Sequence, residues 1–280
     1  MRCDLHTHSI YSDGSFSPKE IVAEAKRLGL TVALTDHNTV SGLAEFLEEA
    51  KRQGVTAVPG IEISTDYRGK ELHLLGLFVE TQYYDRLEQV MKKYHALKEA
   101  SNKDLVERLN EAGYLIDYET VKKSVPEGNV NRAHIATALM EKGYVKSVRE
   151  AFQTILKEGA GFYVPPARLG LLDGIRLLRE MKAIPILAHP LQELGEQELR
   201  QLLAEATEAG LIGMETQHSS YNEEKLALAA QVAGEFSLLE SGGSDFHGIP
   251  KPDVFLGTGK GNLSVSGQVY ENLLKKKLTL

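Results

Sequence analysis

The chain has 280 residues, of which 42% are hydrophobic and 25% charged, so it is long enough to bury a large core and has the composition of a soluble globular protein. Its formal net charge of -7 argues against broad binding to long nucleic acid, which requires a basic surface, but permits a short phosphorylated substrate in one pocket. The single cysteine, Cys3, excludes an intrachain disulfide framework. Without an export signal or a long apolar run, the sequence predicts a cytoplasmic protein that does not enter a membrane.

The first thirteen residues carry an unusual density of metal-ligand side chains. The chain opens "MRCDLHTHSIYSDGS", with two histidines one residue apart and Asp13 in a turn-like "SDG". If Arg2 to His8 is a strand, His6 and His8 share one face, because successive side chains of a strand point to opposite faces. The two imidazoles would then be able to bind one metal ion.

The segment "SFSPKEIVAEAKRLGL" predicts the first helix. Ser17 is its expected N-cap, Pro18 lies in the first turn, and Glu20 completes a capping box. Gly29 is expected to end the helix.

Strands and helices then alternate along most of the chain. The predicted strands are "TVALTDHN", "VTAVPGIEIST", "KELHLLGLFVE", "IPILAHP", "IGMETQHS" and "SLLESGGSDFHG", and the further predicted helices are "GLAEFLEEAKRQG", "LLDGIRLLREMKA", "EQELRQLLAEATEAG" and "NEEKLALAAQVAGEF". This alternation predicts a largely parallel sheet that closes, or nearly closes, into a barrel. Reacting groups of such barrels lie at the C-terminal ends of the strands.

The middle of the chain breaks this rhythm with helical segments that have no convincing strand between them. They are "YYDRLEQVMKKYHALKEASNKDLVERLNEAG", "NRAHIATALMEKG" and "SVREAFQTILKEG". The sequence therefore predicts a barrel formed by residues 1–83 and 166–280, interrupted by a helical insertion at residues 84–165.

Histidines and carboxylates gather at or just past the predicted strand ends. They are His6, His8, Asp13, His37, Glu62, His73, His189, Asp245 and His247. This imidazole and carboxylate set suits transition metals such as Mn, Fe or Zn, and it exceeds what one ion needs, so two or three clustered ions are predicted. Adjacent ions of this kind hold a hydroxide that attacks phosphorus and neutralise charge on the phosphoryl oxygens.

The chain resembles the PHP family, named for polymerase and histidinol phosphatase. The resemblance runs in family order through "DLHTHSIYSDG", "LTDHNTVSG", "PGIEIS", "HLLGL", "AHP" and "GSDFHG". It implies an α/β fold, a distorted (β/α)7 barrel with up to three metals. The implied ligand sets are His6, His8, Glu62 and Asp245 for one ion, Asp13, His37 and His247 for a second, and Glu62, His73 and His189 for a third. Asp13 and Asp36 are the predicted catalytic carboxylates, with Asp36 as a proton carrier or as a hydrogen-bond partner of a ligand.

The insertion points to one subfamily, and the resemblance implies that residues 84–165 lie over the active site. "NVNRAHIATALMEKGYVKSVREAFQTILKEGAGFYVP" is similar to the inserted domain of PHP phosphoesterases that act on nucleoside 3',5'-bisphosphates and short 5'-phosphorylated oligonucleotides, a subfamily that includes ribonuclease AM. Arg132 and His134 are the substrate-binding residues this implies, because arginine donates two hydrogen bonds to one phosphate.

One position departs from the subfamily pattern, which often has a lysine where this chain has Ala160. Lys157 and Arg168 are the candidates to supply the missing charge, and His218 is a further candidate substrate contact. The leading hypothesis is thus a metal-dependent phosphomonoesterase of nucleotides or short 5'-phosphorylated oligonucleotides. The alternatives are a histidinol phosphatase and a non-catalytic metal-binding module.

Overall fold

The structure is a computed structural model that describes residues 2–125, 130–157 and 159–280. The chain folds into two compact units, one formed by Met1–Gln89 and Arg168–Leu280 and the other by Val90–Ala167. Within the described part of the chain, every helix is too short or too polar to cross a lipid bilayer.

The first unit is a sheet surrounded by helices. Its strands are β1 (Arg2–Asp4), β2 (Leu30–Leu34), β3 (Ala57–Tyr67), β4 (Lys70–Leu77), β5 (Leu169–Gly170), β6 (Ile184–Leu187), β7 (Gly213–His218) and β8 (Leu239–Gly243). Its helices are α1 (Pro18–Leu28), α2 (Leu43–Gln53), α7 (Leu171–Glu180), α8 (Glu196–Glu208), α9 (Glu223–Glu235) and α10 (Gly267–Lys277). The middle region contains α3 (Tyr84–Glu111), α4 (Tyr118–Lys123), α5 (Arg132–Glu141) and α6 (Val148–Gln153).

The sheet confirms the predicted barrel. Its strand order is β1-β2-β3-β4-β6-β7-β8, with β5 paired to β3, and it forms a nearly closed barrel of 7 strands. The two ends of the sheet meet through backbone hydrogen bonds, because Leu5 N donates to Gly242 O at 3.1 Å and Asp245 N donates to His6 O at 2.9 Å. The segments that follow β1 and β8 therefore lie side by side.

Strand β4 departs from the predicted parallel arrangement, since it is antiparallel to both β3 and β6. The cause is a two-residue hairpin between β3 and β4, in which Arg68 and Gly69 have φ of 54° and 83°. Positive φ at both positions is the conformation of the tight turn that matches the twist of a hairpin. No crossover helix separates these two strands, so the chain reverses direction instead of continuing the alternation.

Glu62 and His73 lie within strands rather than at the strand ends predicted for them. For Glu62, β3 pairs with β2 through Ala57–Pro59 and then continues beside the residues that follow β2, where Glu62 N donates to Asp36 O at 3.1 Å. His73 pairs with Ser64 near the start of antiparallel β4. An antiparallel strand presents its beginning, not its end, at the edge where the parallel strands finish, and that places His73 at the same edge.

The N-terminus of α1 confirms the predicted capping box. Ser17 accepts a hydrogen bond from Glu20 N through its side chain, the Glu20 side chain accepts from Ser17 N, and Gly29 ends the helix with φ of 65°. These contacts satisfy backbone groups that would otherwise lack partners in the helix.

We expect Ser17→Ala to lower the free energy of unfolding of the barrel by about 1 kcal/mol, because it removes this N-cap acceptor. Ser17→Thr keeps a hydroxyl and is the matched control. Urea titrations of both variants beside the unmodified protein measure the effect. An alanine variant as stable as the threonine variant would contradict the role of the cap.

The barrel core contains apolar residues from the strands and from α10, a helix that sequence reasoning missed. Val269 and Leu273 of α10 pack in the same cluster as Leu75, Ile186 and Val265. Ser266 caps this helix by accepting a hydrogen bond from Gln268 N. The helix therefore covers barrel residues that would otherwise contact water.

The second unit has its own core, formed by residues such as Leu105, Leu109, Ile135 and Leu139. Its helical content agrees with the predicted insertion. Helix α4 was not predicted; its N-cap is Asp117, which accepts from Glu119 N and Thr120 N. Met1 of the predicted barrel, and Asn129 and Glu158 of the segment resembling the PHP insertion, lie outside the described residues. That the insertion lies over the active site stays a prediction.

Candidate metal centre

A single buried carboxylate, that of Glu62, lies among five imidazoles. Its Oε1 is 3.0 Å from His73 Nδ1 and 3.1 Å from His189 Nε2. Its Oε2 lies 3.3 Å from His6 Nε2, 3.2 Å from His8 Nε2 and 3.0 Å from His37 Nδ1. The two oxygens thus face two different groups of ring nitrogens, which is the arrangement a carboxylate needs to bridge two cations.

Asp245 contacts this cluster from the segment that follows β8. Its Oδ1 is 3.3 Å from His8 Nε2 and 3.7 Å from His6 Nε2. Its Oδ2 points elsewhere, 2.6 Å from Lys251 Nζ and 3.5 Å from His218 Nε2. His6, His8 and Asp245 are close enough together to hold one ion.

Asp13 lies in a second group of potential ligands. Its Oδ1 is 3.2 Å from His247 Nε2, and its Oδ2 is 3.9 Å from His37 Nε2. His8 joins this group through Nδ1, which is 3.9 Å from Asp13 Oδ1. The four side chains can hold an ion between them. His37 also groups with Glu62 and His73, so its ring lies between two potential sites.

In two of the rings, hydrogen bonds at Nδ1 leave Nε2 free to face a metal ion. His6 Nδ1 lies 3.0 Å from Glu215 Oε1, and His247 Nδ1 lies 2.9 Å from the backbone oxygen of Asp245. Because both partners are acceptors, these nitrogens carry the protons and each Nε2 presents a lone pair. Among the described residues, the buried atoms His8 Nδ1, His37 Nδ1, His73 Nδ1 and Glu62 Oε2 have no hydrogen-bond partner. Bound cations would satisfy them, so the residues fit a metal centre.

The pKa values in the cluster show how strongly the charges conflict. Although burial favours the neutral ring, the Glu62 carboxylate raises the pKa of His73 to about 10. Burial lowers the pKa of His37 to about 3. The surrounding imidazoles overcome the effect of burial on Glu62 and hold its pKa well below the usual value. Divalent cations would compensate the same carboxylates while leaving the rings neutral, which ligation requires.

Two of the cluster residues have a strained backbone. His189 and Asp245 have φ of 28° and 59°, which is uncommon for residues other than glycine. Each lies two residues beyond the end of a barrel strand, β6 or β8, and turns its side chain toward Glu62 or the two N-terminal histidines. Strain of this kind persists where the surrounding structure holds it, and it concentrates at functional sites.

Glu215 of β7 holds two of the potential ligands in place. Its Oε1 accepts from His6 Nδ1, and its Oε2 accepts from the backbone N–H of His189 at 2.8 Å. Glu215 lies in the predicted strand "IGMETQHS" but is not one of the predicted ligands. Its position between two ligand segments, both far away in sequence, identifies it as a positioning residue.

We expect Glu215→Gln to weaken metal binding about tenfold, because an amide offers one acceptor oxygen to two N–H donors and one of them loses its partner. Titration against a chromogenic chelator measures the affinity. The matched control is Glu240→Gln, since Glu240 lies on the neighbouring strand and accepts only from Thr216 Oγ1 in the described contacts. Equal affinities in the two variants would show that Glu215 does not position the ligands.

Asp36 is buried, and its carboxylate contacts serines. It accepts from Ser9 N and Ser12 Oγ through Oδ1 and from Ser9 Oγ through Oδ2, at 2.6–2.7 Å. Burial raises the pKa of Asp36. These contacts anchor the turn that leads to Asp13, so they favour a positioning role over that of a proton carrier.

His218 is buried beside Asp245 rather than open at the barrel mouth. Its Nδ1 accepts from the backbone N–H of Ser220 at 3.2 Å. The proton of the neutral ring is therefore on Nε2, the atom that faces Asp245, and His218 offers that carboxylate a donor instead of a lone pair.

The two basic side chains predicted to supply the missing charge, Arg168 and Lys157, lie in different units. Arg168 is in the first unit, where it donates to Glu71 at 2.5 Å, and Glu71 Oε1 is 3.7 Å from His73 Nε2. Lys157 is exposed in the second unit. Arg168 is thus already paired with a carboxylate next to a potential ligand.

Arg132 and His134 lie at the start of α5, where side chains already occupy some of the backbone N–H groups that a helix start leaves without partners in the helix. The Asn131 side chain accepts from Ala133 N and His134 N, and His134 Nδ1 accepts from Asn131 N. The Arg132 guanidinium lies over the Tyr163 ring, 4.1 Å from its centre. Ala133 N and His134 N are thus already paired, and the Arg132 side chain is the cationic donor at this helix start.

Lys251 is a residue that sequence reasoning missed. Its only sequence signal is its position four residues after His247, in "GSDFHGIPK". Contact with Asp245 depends on how the segment after β8 folds back, and composition or periodicity does not reveal that path.

Comparison with known proteins identifies the family of this chain. The PHP domain family matches residues 4–164. A 5'-3' exoribonuclease of Haemophilus influenzae is 32% identical over 246 residues, covering 87% of this chain and 89% of that protein. A phosphoribosyl 1,2-cyclic phosphate 1,2-diphosphodiesterase of Eggerthella lenta is 31% identical, covering 88% and 94%. A 3',5'-nucleoside bisphosphate phosphatase of Chromobacterium violaceum is 29% identical, covering 87% and 86%.

A solved structure supports the same grouping. The crystal structure of a candidate metal-dependent phosphoesterase from Bifidobacterium adolescentis superposes with a TM-score of 0.84 at 25% identity, covering 98% of this chain and 96% of that one. The fold, the order of the motifs and the relatives agree, and the chain belongs to the PHP family.

Proposed function

We propose that this protein is a metal-dependent phosphoesterase that hydrolyses phosphomonoesters of nucleotides, such as nucleoside 3',5'-bisphosphates or AMP, or short 5'-phosphorylated oligonucleotides. The observation that carries the proposal is the buried Glu62 carboxylate with separate groups of imidazoles at its two oxygens. Such a centre suits two or three ions of Mn, Fe or Zn. The names of the nucleotide-processing relatives support the substrate class.

Each proposed ligand set contains at least one carboxylate. We assign His6, His8, Glu62 and Asp245 to one ion, Asp13, His37 and His247 to a second, and Glu62, His73 and His189 to a third. When bound, such ions supply Lewis-acid polarisation of phosphoryl oxygens and lower the pKa of an attacking water.

Residues of the chain hold the proposed ligands in position. Glu62 holds the two halves of the centre together, and Glu215 fixes the orientation of the His6 ring. The Asp36 contacts with Ser9 and Ser12 fix the turn that carries Asp13, which we assign as a catalytic carboxylate through its place among the ligands. Burial of His6, His8 and Glu62 keeps bulk water from competing for the ligand atoms.

An assay of phosphate release tests the proposal. The substrates are adenosine 3',5'-bisphosphate, AMP, a short 5'-phosphorylated RNA and histidinol phosphate, each with and without added Mn²⁺. We expect Mn²⁺-dependent release from the nucleotide substrates and little from histidinol phosphate. Preference for histidinol phosphate would support the alternative phosphatase, and no release from any substrate would support a non-catalytic metal-binding module.

The relative from Eggerthella lenta adds a second candidate, because it is named for a diesterase acting on a cyclic phosphate. A five-membered cyclic phosphate ester of ribose, added to the same assay, distinguishes the two. Opening of the ring without any release from AMP would favour the diesterase.

A further inference from the structure

Lys251 is the one ammonium or guanidinium that directly pairs with a proposed metal ligand in the part of the chain that the structure describes. Its Nζ lies 2.6 Å from Asp245 Oδ2, and 40% of its side chain is exposed. It therefore reaches the centre from the solvent side.

The two carboxylate oxygens of Asp245 have different partners. Oδ1 faces His8 and His6, with which it groups as a potential metal site, whereas Oδ2 faces Lys251 and His218. Lys251 is thus separated from the ligand group by a single carboxylate. A group that close to the ions is also close to whatever the ions bind.

The loop holds the backbone of Lys251 and leaves its long side chain adjustable. Lys251 N donates to Gly248 O at 3.0 Å, and Ile249 N donates to Ser15 Oγ at 2.8 Å. Pro250 and Pro252, on either side, fix φ at both neighbouring positions. The flexible four-carbon stem of a lysine allows its ammonium to change partners without movement of the backbone.

The charges around Asp245 would favour release of the Lys251 ammonium when a divalent cation is bound. In the protein alone, the ammonium compensates the carboxylate of Asp245, 2.6 Å away. A divalent cation held through Oδ1 would compensate the same carboxylate and weaken its attraction for the ammonium.

We propose that Lys251 is a phosphate-binding residue of the active site, whose ammonium leaves Asp245 for a phosphoryl oxygen of the substrate once the metal ligands are occupied. This inference rests on the proposed phosphoesterase function. Phosphoryl transfer requires cationic donors for the charge on the phosphoryl oxygens, and a lysine ammonium supplies one as a mobile point charge.

The test is binding of inorganic phosphate to the Mn²⁺-loaded protein, measured by titration calorimetry. Lys251→Met keeps the length of the side chain and removes the charge, Lys251→Arg keeps the charge, and metal content is measured for each. The matched control is Lys260→Met, because Lys260 lies in the same connection, is 50% exposed and pairs with Asp253 at 2.9 Å. We expect Lys251→Met to bind phosphate about tenfold or more weakly with unchanged metal content, Lys251→Arg to recover part of the loss, and Lys260→Met to behave as the unmodified protein.

Steady-state kinetics on AMP give an independent readout. A phosphate contact predicts that kcat/KM falls in Lys251→Met with metal content intact. Phosphate affinity equal to that of the unmodified protein would overturn the inference, and so would loss of metal from Lys251→Met, which would show that the lysine acts only by holding Asp245. Failure of the proposed function is distinguishable, because the unmodified protein would then neither release phosphate nor bind it in a Mn²⁺-dependent way.

Discussion

Glu62→Gln is expected to remove metal from two sites at once and to lower the rate of phosphate release at least about a hundredfold. The substitution keeps the size of the side chain but replaces a bridging anion with a neutral amide. The amide NH₂ would also face ring nitrogens on one side, since imidazoles lie within 3.3 Å of both carboxylate oxygens. Elemental analysis of the purified variant and turnover on AMP measure the two losses.

The control for this variant is Asp66→Asn, which removes a carboxylate charge from the same strand. Asp66 lies at the hairpin tip, where it accepts from Gly69 N, and we place it outside the metal centre. It should keep its metal and its rate. Thermal unfolding of both variants shows whether Glu62→Gln is folded. A folded Glu62→Gln with full metal and unchanged turnover would refute the bridging role.

Local rules were sufficient where one segment determines its own structure. The capping box at Ser17 and Glu20 and the helix end at Gly29 needed no information from elsewhere in the chain. The same rules missed the antiparallel course of β4, because "YRGK" lacks the Asn-Gly or Asp-Gly signature of a tight hairpin. Helix α10 was missed although Ser266 gives it an ordinary N-cap.

In the candidate site, too, some residues could be recognised from the sequence and others could not. His6, His8, Glu62 and the other proposed ligands belong to residue types that bind metals, and their recurrence near strand ends made them recognisable. The roles of Glu215 and Lys251 come from pairing partners far away in sequence or beyond a loop, so no spacing rule points to them. Glu215 contacts His6 although 209 positions separate them in the chain, because the fold of the barrel brings β7 and the segment after β1 together.

Arg132→Ala is expected to lose activity mainly on a 3',5'-bisphosphate, while it keeps its metal and most of its activity on p-nitrophenyl phosphate. Metals bind any phosphate oxygen and so discriminate poorly between phosphomonoesters, and selectivity requires a second contact. The guanidinium lies 4.1 Å from the centre of the Tyr163 ring, and stacking on an aromatic face leaves the edge of a guanidinium available to bind an anion. A charge-assisted hydrogen bond of about 1.5 to 3 kcal/mol corresponds to roughly ten- to more than a hundredfold in kcat/KM.

The matched control for Arg132→Ala is Arg149→Ala, since Arg149 is exposed on α6 of the same unit. Arg132→Lys, which keeps the charge but not the planar fork, should lie between the alanine variant and the unmodified protein. The measured quantity is the ratio of kcat/KM for adenosine 3',5'-bisphosphate to that for p-nitrophenyl phosphate. A parallel loss on both substrates would place Arg132 on the phosphate being hydrolysed, and an unchanged ratio with an unchanged bisphosphate rate would leave it only its packing against Tyr163. Because the Asn131 side chain already accepts from Ala133 N and His134 N, those two backbone donors would not replace the missing guanidinium.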